Sequence, residues 1–157
     1  MKILILNGPN LSRLDLREKN YYGDLTYKDL EKAISTKADA MGVEIEIKQS
    51  DNESELISWI HEAADKRQPL IINPAAFTHY SYALRDAISM LKAPAIEVHL
   101  SNPLSREEFR HTSVVSGVVQ GTIAGFGVDS YLLALTDRKS TRLNSSHVTE
   151  SHMPSSA

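Results

Sequence analysis

The 157-residue chain contains no cysteine. Disulfide frameworks, thiolate zinc sites, iron–sulfur clusters and cysteine nucleophiles are excluded together. No apolar run approaches the roughly 20 residues that span a bilayer. The apolar start Met1-Lys2-Ile3-Leu4-Ile5-Leu6 breaks at once into Asn7-Gly8-Pro9-Asn10, too short for the apolar region of a secretory signal. No membrane partner is expected, and a cytoplasmic location is. Neither charge dominates: 17 basic and 20 acidic residues leave −3, and without a basic field nucleic acid is not an expected partner. What remains, 41% hydrophobic and 24% charged residues, suits one soluble α/β-sized domain with a core of its own.

Several chemical signatures are missing as well. No Gly-x-x-x-x-Gly-Lys-Ser/Thr loop follows a strand, and Gly125-x-Gly127 lacks the rest of a dinucleotide fingerprint. Neither His-Glu-x-x-His nor a carboxylate cluster at strand ends suggests a metal, so no metal and no cofactor are expected. His61, within a helical stretch beside Glu62, reads as a surface residue.

Periodicity supplies the organisation. Residues 2–7 form a short apolar run ending at a turn, as a buried parallel strand does, whereas 43–49 alternate strictly, as a half-buried strand near an edge does. Further runs at 70–73, 95–100 and 118–124 make five predicted strands. Between them, Thr26 and Asp29 resemble a capping box opening a helix whose stripe is Leu30, Ile34 and Met41, stopped by Gly42. Helices are also predicted over 53–67 and 80–92, and from about Asp129. Strand and helix alternate, so the expected fold is a flavodoxin-like, doubly wound five-stranded parallel sheet of order 2-1-3-4-5, within a single catalytic α/β domain at 1–136. Ligands of such sheets sit beyond the carboxyl ends of the strands at the switch point, here between the first and third.

From Asp137 the sequence DRKSTRLNSSHVTESHMPSSA turns polar and serine-rich, with no core-forming period. It reads as a disordered tail over 137–157. Asp137 to His147 also match the in-frame translation of a common sequencing-library adapter, so the tail, with His147 and His152, is set aside.

Three loops at the expected ligand end carry polar groups: Asn7 to Asn10 after the first strand, Asn73 to Ala76 and then His79 after the third, and His99, Ser101 and Asn102 after the fourth, with Arg110 and His111 beyond. Any one alone reads as turn chemistry; convergence points to a site. A long loop at 11–24 carries Arg13, Arg17, Lys19, Tyr21 and Tyr22, a length typical of lids. An arginine beside a tyrosine favours the phenolate, which lets tyrosine act as a base. Glu97 and His99 are two apart and leave the same face of a strand. The carboxylate orients the imidazole and favours its protonated form, which suits His99 to general acid work.

These segments together resemble the type II 3-dehydroquinate dehydratases: NGPNL (7–11), RE…YYG (17–23), QS…E…L…WIHEA (49–63), INPAAFTH (72–79), ALRDA (83–87), IEVHLSN (96–102), REEFRH (106–111) and GFG (125–127), in order across 1–136. The resemblance implies dehydration of 3-dehydroquinate to 3-dehydroshikimate in the shikimate pathway, by anti elimination through an enolate, with neither metal nor Schiff base. It implies Tyr22 as the base, Arg17 as support for its phenolate, His99 as the acid, and Asn10 as holder of a water on the enolate oxygen. Substrate contacts fall on Asn73, His79, Leu100, Ser101 and Arg110. Asp86 enters from a neighbouring subunit, implying trimers, commonly four to a dodecamer. The chain departs from the family's usual glycine at Asp15, proline at Lys19 and Asn-His at Asp51-Asn52. Two other readings are a catalytically silent homologue, which binds without turnover, and a flavodoxin-like ligand-binding module, for which no phosphate loop or acidic strand-end cluster is visible.

Overall fold

The structure is a computed structural model that describes residues 2–144, with side chains of the last helix described as far as Arg138. Strands β1 (Ile3–Asn7), β2 (Ile45–Gln49), β3 (Leu70–Asn73), β4 (Ala95–His99) and β5 (Gly121–Ala124) pair in parallel in the order β2-β1-β3-β4-β5. Helices α1 (Lys19–Tyr22), α2 (Tyr27–Met41), α3 (Glu53–Lys66), α4 (Tyr82–Ser89) and α5 (Val128–Asn144) complete the chain, with short 3-10 segments between them. The architecture is the doubly wound sheet that the alternation of periods predicts.

Strand pleating divides the core in two. Ile3 and Ile5 point to one face, where they pack with Leu30 and Ile34 of α2 and with Tyr131 and Leu135 of α5. Leu4 and Leu6 point to the other, against Leu56 and Ile60 of α3 and Leu84 and Ile88 of α4. The three inner strands are buried along their whole length and β2 is half-buried throughout, as apolar runs and strict alternation respectively require. At the start of α2 the Thr26 hydroxyl accepts the Asp29 N–H while the Asp29 carboxylate accepts the Thr26 N–H. The helix ends at Gly42, whose φ of 69° is in the left-handed region.

Three boundaries differ from the sequence expectation by more than two residues. Helix α4 is shorter than 80–92: Ser81 caps its start, its hydroxyl accepting the Leu84 N–H, and after Ser89 the Met90 and Leu91 N–H groups turn back to the Ala87 and Ile88 carbonyls in a tighter, i to i−3 pattern. Strand β5 begins at Gly121 rather than 118, since Ser116–Val118 form a 3-10 turn. Helix α5 runs past Thr136 to Asn144, and Arg138 is buried with its guanidinium on the Gln120 side-chain oxygen at 2.9 Å. The polar stretch set aside at 137 therefore starts inside a helix; its remainder, with His147 and His152, lies outside the described residues.

The loop expected at 11–24 is also ordered. Leu11–Leu16 form a 3-10 segment that buries Leu11 and Leu14, and Lys19–Tyr22 form the single turn α1.

Candidate active site

The carboxyl ends of β1 and β3 lie side by side, with Asn7 opposite Asn73. Both are buried, and both are bound through Tyr131 of α5: its hydroxyl donates to Asn7 Oδ1 at 2.5 Å and accepts from Asn73 Nδ2 at 2.9 Å. Burial pushes the Tyr131 phenol up, so it stays a neutral donor. Asn73 Oδ1 accepts the Ala75 N–H, which fixes the amide's orientation. The next residue in the first strand's loop must be small: a Cβ on Gly8 would lie 2.6 Å from the Pro74 carbonyl oxygen. Asn10 follows in a left-handed conformation, φ 70°, with its N–H on Asp51 Oδ1 at 2.8 Å.

Beside this floor, β4 delivers Glu97 and His99. Glu97 has no solvent exposure and His99 has 8%. His99 Nε2 is 2.5 Å from Glu97 Oε2. Burial alone would raise the Glu97 carboxyl, but the His99 hydrogen bond and charge, with the Ser116 and Thr78 hydroxyls, outweigh it and hold the group below the usual carboxylate range. With Nε2 committed to Glu97, Nδ1 is the ring atom left to serve a ligand. His79 Nδ1 meets the Thr112 carbonyl at 2.8 Å; a carbonyl only accepts, so Nδ1 carries the proton. Burial lowers His79 below the ordinary imidazole value, against the raising effect of that carbonyl, and the positive side chains nearby add to the lowering.

The third wall is basic and aromatic. Tyr22 Oη accepts from Arg17 Nη2 at 2.9 Å and from Arg106 Nη1 at 2.7 Å. Two guanidinium donors on one phenol oxygen place positive charge where a phenolate's negative charge would sit. Arg106 also donates to Ser101 Oγ at 3.2 Å and lies 4.3 Å over the Tyr21 ring. Its side chain is 3% exposed, with the Glu18 and Glu107 carboxylates about 4 Å away.

One concave pocket thus gathers a tyrosine held by two arginines and a histidine held by a buried carboxylate. A family model described as "Dehydroquinase class II" matches residues 1–138. The chain belongs to that family. A 3-dehydroquinate dehydratase of Salinispora tropica is 53% identical over 135 residues, 86% of this chain and 94% of that one. Among solved structures, the type II dehydroquinase from Propionibacterium acnes superposes with a TM-score of 0.84 at 52% identity, covering 86% of this chain and 93% of the other. The type II dehydroquinase from Butyrivibrio crossotus gives 0.86 at 44% identity, covering 88% and 97%.

Of the residues the dehydroquinase resemblance singled out, Asn10, Arg17, Tyr22, Asn73, His79, His99, Leu100, Ser101 and Arg110 line this pocket, and Glu97 stands behind His99. Asp86 does not; it is exposed on α4. Arg106 was missed as a site residue. It belongs to the segment REEFRH, but nothing in the spacing separates it from Arg110 as the one that reaches Tyr22. Of the departures from the family pattern, Asp15 pairs with Arg13 and Lys19 with Asp24, both at the surface. Asp51 accepts from Gln49 as well as from Asn10, and Asn52 caps α3 through the Ser54 N–H.

Proposed function

We propose that this chain is a type II 3-dehydroquinate dehydratase, a hydro-lyase that converts 3-dehydroquinate to 3-dehydroshikimate on the shikimate route to chorismate and the aromatic amino acids. The observation that carries the reading is the Tyr22 hydroxyl under two guanidinium groups, in the same pocket as the His99–Glu97 pair. Tyr22, as phenolate, removes a proton from the carbon next to the ketone. The C–H pair becomes the enolate, whose oxygen is stabilised by a water held at Asn10. The enolate re-forms the ketone as the hydroxyl on the adjoining carbon departs, taking a proton from His99 Nδ1 to leave as water. Tyr22 gains one proton and His99 loses one, so exchange with solvent restores both.

Binding roles follow from position. Asn73, held by Tyr131, and His79, whose Nε2 is an acceptor, address substrate hydroxyls; Ser101 and the neighbouring Leu100 backbone, with Arg110, address its carboxylate or a further hydroxyl. Asp86 lies outside its own chain's pocket, which supports its delivery to the site of a neighbouring copy, in a trimeric unit and a dodecamer of four trimers. The enzyme works in the cytoplasm, with neither metal nor cofactor.

The test is ultraviolet absorbance on adding 3-dehydroquinate, since only the product is a conjugated enone. Absorbance grows if the proposal is right. Binding of substrate without growth makes the chain a silent homologue and overturns it. A chelator, or borohydride with substrate, leaves the rate unchanged; substrate-dependent borohydride inactivation would mean an imine and a different mechanism. Light scattering reports a large homo-oligomer, and a fully active monomer would remove the role given to Asp86.

A further inference from the structure

Glu97 is satisfied far beyond the one bond that His99 needs. Oε2 takes the His99 Nε2–H and the Thr78 hydroxyl. Oε1 takes the Ser116 hydroxyl at 2.6 Å, and Ser113 Oγ lies 3.2 Å from both oxygens. Strand neighbours add no charge: in register, Glu97 faces Ile72 of β3 and Thr122 of β5. The titratable or charged groups lining the cavity around it are His79, His99, Arg110 and His111, of which only His99 touches the carboxylate.

The direction of these hydroxyl bonds is constrained. Ser113 Oγ already receives the Val115 and Ser116 N–H groups, at 3.1 and 3.0 Å. Both of its lone pairs are used, so its own proton must go outward, to Glu97 or to Thr78 Oγ1 at 3.0 Å. If it goes to Thr78, then Thr78 passes its own proton on to Glu97. Either way the carboxylate is the acceptor at the end of the chain. A proton on Oε2 would require Thr78 or Ser113 to turn round, and neither can; on the Oε1 side the Ser116 hydroxyl donates to the carboxylate with Thr122 Oγ1, 3.2 Å away, as its alternative partner. Thr78 is 1% exposed, so no water replaces it.

We propose that Thr78, Ser113 and Ser116 are positioning residues for the acid: their hydroxyls hold Glu97 as a fixed carboxylate, which keeps the His99 Nε2–H turned toward it and Nδ1 toward the substrate. The favoured ionisation of Glu97, held against burial by His99 and, beside it, by the Ser116 and Thr78 hydroxyls, agrees with that arrangement. The inference rests on His99 being the acid of the dehydration.

The sign of the effect is fixed. A donor lost from Glu97 makes its carboxyl easier to protonate, so the pH below which the His99–Glu97 pair fails moves up. Thr78→Val removes one hydroxyl at constant shape in a dry site. It is expected to lower kcat about tenfold near neutrality, to shift the acid limb of the kcat/KM profile about one pH unit upward, and to leave the affinity for a non-reacting substrate analogue within a factor of two or so. Ser116→Thr keeps a hydroxyl and keeps the wild-type profile, while Ser116→Val, of the same volume, moves the acid limb upward. This isosteric pair decides the matter if Thr78→Val does not fold by thermal melting. An unmoved acid limb in folded Thr78→Val and Ser116→Val enzymes overturns the inference, as does an equal loss of rate at every pH. Wild-type enzyme that turns over no 3-dehydroquinate sinks the functional reading instead, so the two failures are distinct.

Discussion

Tyr22 and His99 line one pocket, yet the chain holds them by different physics. Tyr22 belongs to a one-turn helix with no buried residue, and its oxygen is held by two guanidinium groups, one five residues away in sequence and the other 84. His99 ends a strand buried from end to end, and its partner Glu97 is held by neutral hydroxyls. At Tyr22 charge is the tool even though Arg106 is buried, because arginine remains ionised at any working pH and the Glu18 and Glu107 carboxylates lie about 4 Å from its guanidinium. At the buried end a further charge would carry a desolvation cost, so hydroxyl dipoles stabilise the one carboxylate that is there. Tyr22 is thus fixed by cations that have counter-charges within reach, and the buried carboxylate behind His99 by neutral hydroxyls.

The sharpest way to break this comparison is to remove each atom proposed to react in turn. Tyr22→Phe keeps the ring and loses only the oxygen; its kcat is expected to drop toward the upper end of the about 10²–10⁴-fold range for acid–base groups, with analogue affinity retained. His99→Ala falls within the same range but lower, because water can still protonate a departing hydroxyl. Enone absorbance measures both, and a Tyr22→Phe enzyme near wild type would reassign the base.

A smaller effect is expected one layer out. Arg106→Met removes one of the two donors on Tyr22 while keeping most of the packing over Tyr21. A charge-assisted bond of about 1.5–3 kcal/mol corresponds to roughly a ten- to hundredfold loss in kcat. Arg106→Lys should rescue it only in part: one nitrogen, Nη1, makes both bonds to Tyr22 and Ser101, which an ammonium can imitate, but the planar stack over the Tyr21 ring is lost. Full rescue by lysine would mean that the guanidinium acts as charge alone.

The smallest effect lies under the floor. Tyr131→Phe strands Asn7 Oδ1 and one Asn73 contact in a buried site, at a cost of about 1–3 kcal/mol of stability read from urea unfolding. Its KM rises as the Asn73 amide loses its orientation. A stability loss with no change in KM would separate the floor from substrate binding.

The sequence disclosed the parts whose signals are local. Thr26 with Asp29, three residues apart, and the apolar run at 2–7 are written in neighbouring residues and match the structure closely. The dyad at 97 and 99 is legible for the same reason, since a strand places i and i+2 on one face. Arg106 was not legible: its value comes from reaching a tyrosine 84 positions away, and Arg110 in the same segment has the same composition. The hydroxyls around Glu97 escaped for the same reason, as they come from a segment after β3 and a turn before β5. Helix α5 was cut at 136 because its polar continuation has no apolar stripe, although Arg138 is buried with its guanidinium on Gln120 and Asp137. The 11–24 segment, read as open loop, is pinned by Leu11 and Leu14, two residues too few to show a period.

The bond from Tyr131 to Asn73 spans 58 residues, and that to Asn7 spans 124. During synthesis, at about 5–20 residues per second, the first and third strands are made long before the helix that carries Tyr131. A nascent chain that has emerged only through His99 and Arg110 holds every reacting group proposed here, but its two floor amides are still free to turn. Competence therefore arrives with the last helix: a message truncated anywhere upstream of codon 131 yields a chain with the chemistry encoded and the cradle unset.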